Sequence, residues 1–205
     1  MIHTAPLARR LSAIALALAT TACGDLVRAS RSPVFLVIDS LQARPGNATQ
    51  FSGTLASDVI TNVTTPAPCS PATPCPTVFN DVGQATLSLA LKDVSVAPTT
   101  NNQVTITRYR VAYRRADGRN TPGLDVPFAF DGAVTVTIPP ASSSAVGFEI
   151  VRHVAKQEAP LVELISNGKI ISTIADVTFY GRDQVGNEVS ASGSILIDFG
   201  NFGDR

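Results

Sequence analysis

The chain has 205 residues, of which 16 are basic and 16 are acidic, so its formal net charge is zero and only 16% of its residues are charged. It lacks the basic excess that nucleic-acid binding requires and the polybasic run that favours an anionic membrane surface. A low charge content combined with many β-branched residues favours an exported all-β protein over a cytosolic enzyme.

The first 23 residues have the order of a secretory signal. Arg9 and Arg10 precede an uncharged run at residues 11–19, which is followed by small residues and then by Cys23. The run is too short for a lasting transmembrane helix. This segment resembles a bacterial lipoprotein signal, which implies that residues 1–22 are removed and that Cys23 becomes the acylated first residue. The alternative is an ordinary secretory signal that happens to end near a cysteine.

The resemblance implies a cellular location and a division of the chain into three segments. Residues 1–22 form the signal peptide, residues 23–32 hold the lipidated cysteine and a polar tether, and residues 33–205 form one domain. Cleavage would leave 14 basic and 16 acidic residues, a net charge of about −2. We therefore expect a cell-envelope protein on the outer membrane or the periplasmic face of a membrane, held through its lipid anchor.

The two remaining cysteines fit an oxidising compartment. With Cys23 set aside, Cys69 and Cys75 form a possible disulfide, and such bonds persist outside the cytosol. Both lie in residues 61–80, a segment with five prolines. Because proline cannot donate to a strand ladder, we expect a long exposed loop here. The bridge would stiffen the loop, which serves either as a binding tip or as a protease-resistant excursion.

The rest of the domain shows strand periodicity. Residues 84–91 alternate cleanly, and residues 104–115 change phase between Ile106 and Tyr109, which predicts a β-bulge or strand break. Residues 124–130 also alternate and predict a strand. A helical turn is plausible only in residues 155–166.

The clearest pattern is at the carboxyl end, where residues 169–180 and 188–199 alternate on either side of a turn at residues 183–187. The phrase at residues 179–190, FYGRDQVGNEVS, resembles the closing strands of bacterial immunoglobulin-like or fibronectin-like envelope domains. About eight strands with almost no helix predict an all-β antiparallel sandwich, and the resemblance implies an immunoglobulin-like one.

The sequence offers little catalytic chemistry. After cleavage His153 is the sole histidine, and the sequence has no Gly-x-Ser-x-Gly motif that would supply a nucleophile for it. One histidine and two cysteines that can pair with each other do not make a typical zinc site. We predict no cofactor and no metal. Scattered acidic residues keep a carboxylate-based enzyme open, and Asp183 with Asn187 could offer oxygens to calcium, although turn hydrogen bonding explains them better.

A basic stripe gives one candidate surface. Arg108, Arg110 and Arg114 share one face of a predicted strand, where an acidic partner or a lipid headgroup could dock. The alternative is a solvated strand face that discourages edge pairing. We expect a non-catalytic, lipid-anchored structural or protein-interaction module that contacts an envelope protein or the cell wall and not nucleic acid. The alternative is a β-barrel lipoprotein that carries a hydrophobic ligand.

Overall fold

The architecture comes from a computed structural model, which describes residues 31–203. This part of the chain is mostly β-strand, as the all-β prediction requires. The strands are β1 (Val34–Arg44), β2 (Thr54–Asp58), β3 (Thr61–Val63), β4 (Cys75–Thr77), β5 (Asp81–Leu91), β6 (Val104–Arg114), β7 (Phe130–Ile138), β8 (Ser143–Val151), β9 (Ile171–Asp183) and β10 (Glu188–Gly200).

The strands form three sheets. One has three strands in the order β1-β5-β8, a second has five in the order β2-β10-β9-β6-β7, and β3 pairs with β4 alone. All pairs are antiparallel except β10 with β2, which is parallel. One of the sheets curls into a half-barrel. The described residues thus hold ten strands where about eight were expected, the additional ones being short.

The core lies between the three-stranded and five-stranded sheets. Tyr109 of β6 contacts Phe148 of β8 and Phe179 of β9, with ring centroids 5.2 and 6.4 Å away. Phe148 and Phe179 meet edge to face at 5.3 Å. Rings in such tilted and T-shaped arrangements gain energy beyond the area that they bury. Alternating inward side chains of facing strands therefore fill this interior.

Two predicted features of strand phase are confirmed. The register of β6 shifts between Ile106 and Arg108 against both of its neighbours, so a bulge explains the change of phase. The terminal hairpin is also present, with β9 and β10 paired from Glu188↔Arg182 to Phe199↔Ile171.

Residues 124–130 do not form the predicted strand. Thr121 accepts backbone hydrogen bonds from Asp125 and Val126, which folds the segment into a turn. Val126 is buried, whereas Leu124 and Phe128 are 70% and 57% exposed. Pro127 has no N–H to give to a ladder, so alternation in the sequence does not lead to a strand here.

The helical content of the described residues is small. Besides a 3₁₀ turn at Thr100–Asn102, there are two single-turn helices, α1 (His153–Lys156) and α2 (Leu164–Asn167). Both lie in or beside the region where a helical turn was predicted. None of the helices in residues 31–203 is long and apolar enough to cross a membrane.

Candidate interaction surface

Cys23, the predicted lipid attachment residue, lies outside the described residues. The other predicted cysteines are joined, since the structure places a disulfide between Cys69 and Cys75 with Cα atoms 5.4 Å apart. Their surroundings are not wholly loop as expected. Thr61–Val63 pairs with Cys75–Thr77, so the disulfide closes the tip of a short hairpin.

β6 separates its side chains into two sets. Tyr109, Val111 and Tyr113 point into the core, while Arg108, Arg110 and Arg114 lie on the outer face of the five-stranded sheet. The sequence prediction that these three arginines share a face is therefore confirmed. Their neighbour Arg115 leaves the face and pairs with Asp117 in the following turn, at 2.7 Å.

Acidic residues of adjacent strands contact each arginine of the stripe. Asp131 of β7 lies 2.8 Å from the Arg108 guanidinium and 2.7 Å from that of Arg110. Asp176 of β9 lies 2.7 Å from Arg114. These pairs are half exposed, so each contributes little to stability. The stripe is thus a charge network of three arginines and two aspartates, and not a bare basic patch.

A hydrogen bond from β10 extends the network. Ser194 Oγ donates to Asp176 Oδ1 at 2.6 Å, and Arg114 Nε donates to Oδ2 at 2.7 Å. Partial burial opposes ionisation of Asp176, but the hydrogen bonds from Arg114 and Ser194 bring its pKa below the ordinary value. The carboxylate is therefore ionised at neutral pH and fixes the arginine.

The outer face also holds an aromatic contact. The Arg108 guanidinium lies 3.9 Å from the centroid of the Tyr180 ring. Arg182 lies nearby and pairs with Glu188 at 3.0 Å. These side chains line a shallow depression of about 360 Å³, together with Thr107, Gly181, Val189 and Ser190. Stacked arginine and tyrosine are residue types that carry binding energy at protein interfaces.

The carboxylate oxygens of Asp183 accept hydrogen bonds within their own turn, in line with the turn interpretation. Its Oδ1 accepts the backbone N–H groups of Val185 and Asn187 at 3.1 and 2.8 Å, and Oδ2 accepts Asn187 Nδ2 at 2.8 Å. The carboxylate thus binds its own turn. Residues 31–203 hold no group of three histidine, cysteine, aspartate or glutamate side chains arranged for a metal ion. His153 begins α1 and is exposed.

The structure also contains a buried polar cluster that the sequence did not predict. Asp81, the first residue of β5, and Lys156, the last of α1, form an ion pair of 2.9 Å with side chains 0% and 1% exposed. Ser57 of β2 donates from Oγ to Asp81 Oδ2 at 2.6 Å. Asp81 and Lys156 are 75 positions apart, so no local pattern could have paired them.

Burial determines the electrostatics of this cluster. Desolvation raises the pKa of Asp81 above the ordinary carboxyl value, against the opposing effects of Lys156 and of the hydrogen bonds that it accepts. Ser57, Asp81 and Lys156 are all buried, so a substrate in solution has no access to the Ser57 hydroxyl. A serine–lysine arrangement closed in this way does not form an open active site.

Comparison with known proteins gives no relative: no family model, no curated protein and no solved structure matches the chain.

Proposed function

We propose that the protein is a non-catalytic, lipid-anchored β-sandwich of the cell envelope, of immunoglobulin-like type, which binds another protein through the outer face of its five-stranded sheet. The anchor rests on the order of Arg9, Arg10, the apolar run and Cys23 in the sequence. The immunoglobulin-like assignment rests on two facing sheets and on the closing hairpin β9–β10.

The observation that carries the binding proposal is the ordered arginine network on the outer face. Arg108 is held by Asp131 on one side and lies over Tyr180 on the other. A guanidinium held in place loses less rotational freedom when it binds a partner. Arg108 and Arg110 share the single carboxylate of Asp131, which leaves this end of the network with one positive charge in excess.

The interior supports a binding module over a carrier of hydrophobic ligands. A carrier needs open space between its apolar faces, but Tyr109, Phe148 and Phe179 bring their rings together there at ordinary packing distances. Tyr113 also reaches across to the opposite sheet. The core side chains of the two sheets are in mutual contact.

The test uses a charge-reversed face. A variant with Arg108→Glu and Arg110→Glu should lose the proteins that the wild-type chain captures from a solubilised envelope of its own cells, and added salt should weaken wild-type capture. Arg119→Glu is the control, because Arg119 is also exposed and paired with an aspartate, Asp117, but lies in the turn after β6 and not on a strand of the five-stranded sheet.

The two outcomes are distinct. Capture by the wild type and the Arg119→Glu control, with loss in the face variant of unchanged thermal stability, supports the proposal. Equal capture by all three proteins, or no specific capture by the wild type, contradicts it.

A further inference from the structure

The buried ion pair of Asp81 and Lys156 holds an amine and a carboxyl group in direct contact. Nζ lies 2.9 Å from Oδ1, and neither side chain has appreciable contact with solvent. Holding two reactive groups together in a fixed orientation corresponds to a very high effective concentration, on the order of 10⁵ M or more when the geometry is favourable. An amine and a carboxyl group in this arrangement can condense to an amide.

The surroundings favour the uncharged product. Taking an ammonium and a carboxylate out of water carries a large desolvation cost that their attraction only partly offsets. Condensation removes both charges at once, so the low polarity that disfavours the ion pair favours the amide. The raised pKa of Asp81 also favours condensation, because it eases transfer of a proton from Nζ to the carboxylate.

The polar groups of the amide would already have their partners. Lys156 Nζ donates to the backbone oxygen of Asp58 at 2.8 Å, and an amide N–H there could keep that bond. Asp81 Oδ2 accepts Ser57 Oγ at 2.6 Å and would remain as the amide oxygen. Oδ1 is the oxygen that would depart. Within residues 31–203 it accepts hydrogen bonds from Lys156 and, at the longer distance of 3.3 Å, from Gly46 N.

We propose that Lys156 and Asp81 form an intramolecular amide bond that links α1 to β5. In this step Nζ gives one proton to Oδ1, and the resulting neutral amine attacks Cγ. A second proton passes from nitrogen to the same oxygen, the Cγ–Oδ1 bond breaks, and one water molecule leaves as the Nζ–Cγ bond is completed. The Ser57 hydroxyl stabilises negative charge on Oδ2 during the attack. Nothing is oxidised or reduced.

Tryptic peptides of the folded full-length protein test the bond. Trypsin does not cut between Arg44 and Pro45, so Asp81 falls in the peptide of residues 32–92, while normal cleavage after Lys156 separates residues 153–156 from 157–169. An amide on Nζ blocks that cleavage. After reduction and alkylation, we expect residues 32–92 joined to residues 153–169, lighter than the sum of the two by one water.

Two controls make the result specific. Lys156→Arg keeps the positive charge and the trypsin site but has no amine to condense, so it should give separate peptides. Asp81→Ala removes the carboxyl group that would condense, so it should also give separate peptides.

The wild-type digest decides the question even if the variant folds poorly. The joined peptide as the main product of folded wild type, absent from both controls, supports the amide. Separate peptides with complete cleavage after Lys156 in the folded wild type overturn it, as does a joined peptide in the Lys156→Arg variant.

Discussion

Tyr113 Oη donates a hydrogen bond to the backbone oxygen of Ile150 at 2.6 Å and thereby connects β6 of the five-stranded sheet to β8 of the three-stranded sheet. Both residues are buried. Burial is also the main reason that the pKa of Tyr113 lies above its ordinary value, so the phenol stays protonated and continues to donate.

The first prediction concerns this bond. Tyr113→Phe keeps the ring but leaves the Ile150 oxygen without its donor, which should cost about 1–3 kcal/mol of unfolding free energy. Urea denaturation measures the change. An unchanged midpoint with an unchanged slope would show that the hydroxyl does not join the sheets in solution.

The second prediction compares two strand glycines. A Cβ on Gly181 would lie 2.7 Å from the backbone oxygen of Thr105, whereas a Cβ on Gly147 would meet nothing within 4 Å. Gly181→Ala should therefore destabilise the protein by about 1–3 kcal/mol because backbone must move. Gly147→Ala is the control and should stay within about 0.5 kcal/mol of wild type. Thermal melting of the two variants compares them, and equal melting temperatures would contradict the close approach of β9 to β6.

The third prediction concerns the acid dependence of stability. Burial raises the pKa of Asp183, but the hydrogen bonds from Asn187 and Val185 outweigh it and bring the pKa below the ordinary value of 3.8. A folded-state pKa lower than the unfolded one stabilises the fold at pH above the ordinary value, and this contribution is lost as the pH falls through the folded-state value.

Asp183→Asn should accordingly lower stability at neutral pH and reduce the loss of stability on acidification. Urea midpoints from neutral pH down to about pH 2 measure this. Parallel curves for the variant and the wild type would show that the carboxylate of Asp183 does not stabilise the hairpin turn through its charge.

The fourth prediction concerns the hairpin that contains the disulfide. Cys69 and Cys75 are six positions apart, so the bond closes a small loop and should contribute no more than about 2 kcal/mol. Replacing both cysteines with serine should lower the melting temperature only slightly but speed proteolytic cleavage within residues 61–80. Unfolding of the whole domain on removal of the bond would contradict this local role.

Period-two patterns in the sequence predicted the strands that pack on the core. In β6 the change of phase after Ile106 located the bulge, and the same pattern placed Arg108, Arg110 and Arg114 on one outer face. Those predictions succeed because alternation directly reflects which side of a strand is buried.

Other features depend on contacts that no local pattern contains. Asp131 and Asp176 neutralise much of the charge of the arginine stripe. They do so because β7 and β9 flank β6 in the sheet, and this strand order cannot be read from a local pattern. The pairing of Asp81 with Lys156 likewise requires that α1 fold back over the start of β5. Residues 124–130 alternate as a strand would, yet hydrogen bonds to Thr121 form a turn instead.

The anchor at Cys23 is the part of the proposed function that a single measurement tests most directly. Mass spectrometry of the amino-terminal peptide, taken from the protein in its own cells, should find a chain that begins at Cys23 and carries acyl chains. An unmodified Cys23 within a retained leader, or a mature chain that begins elsewhere, would contradict a lipid-anchored envelope protein.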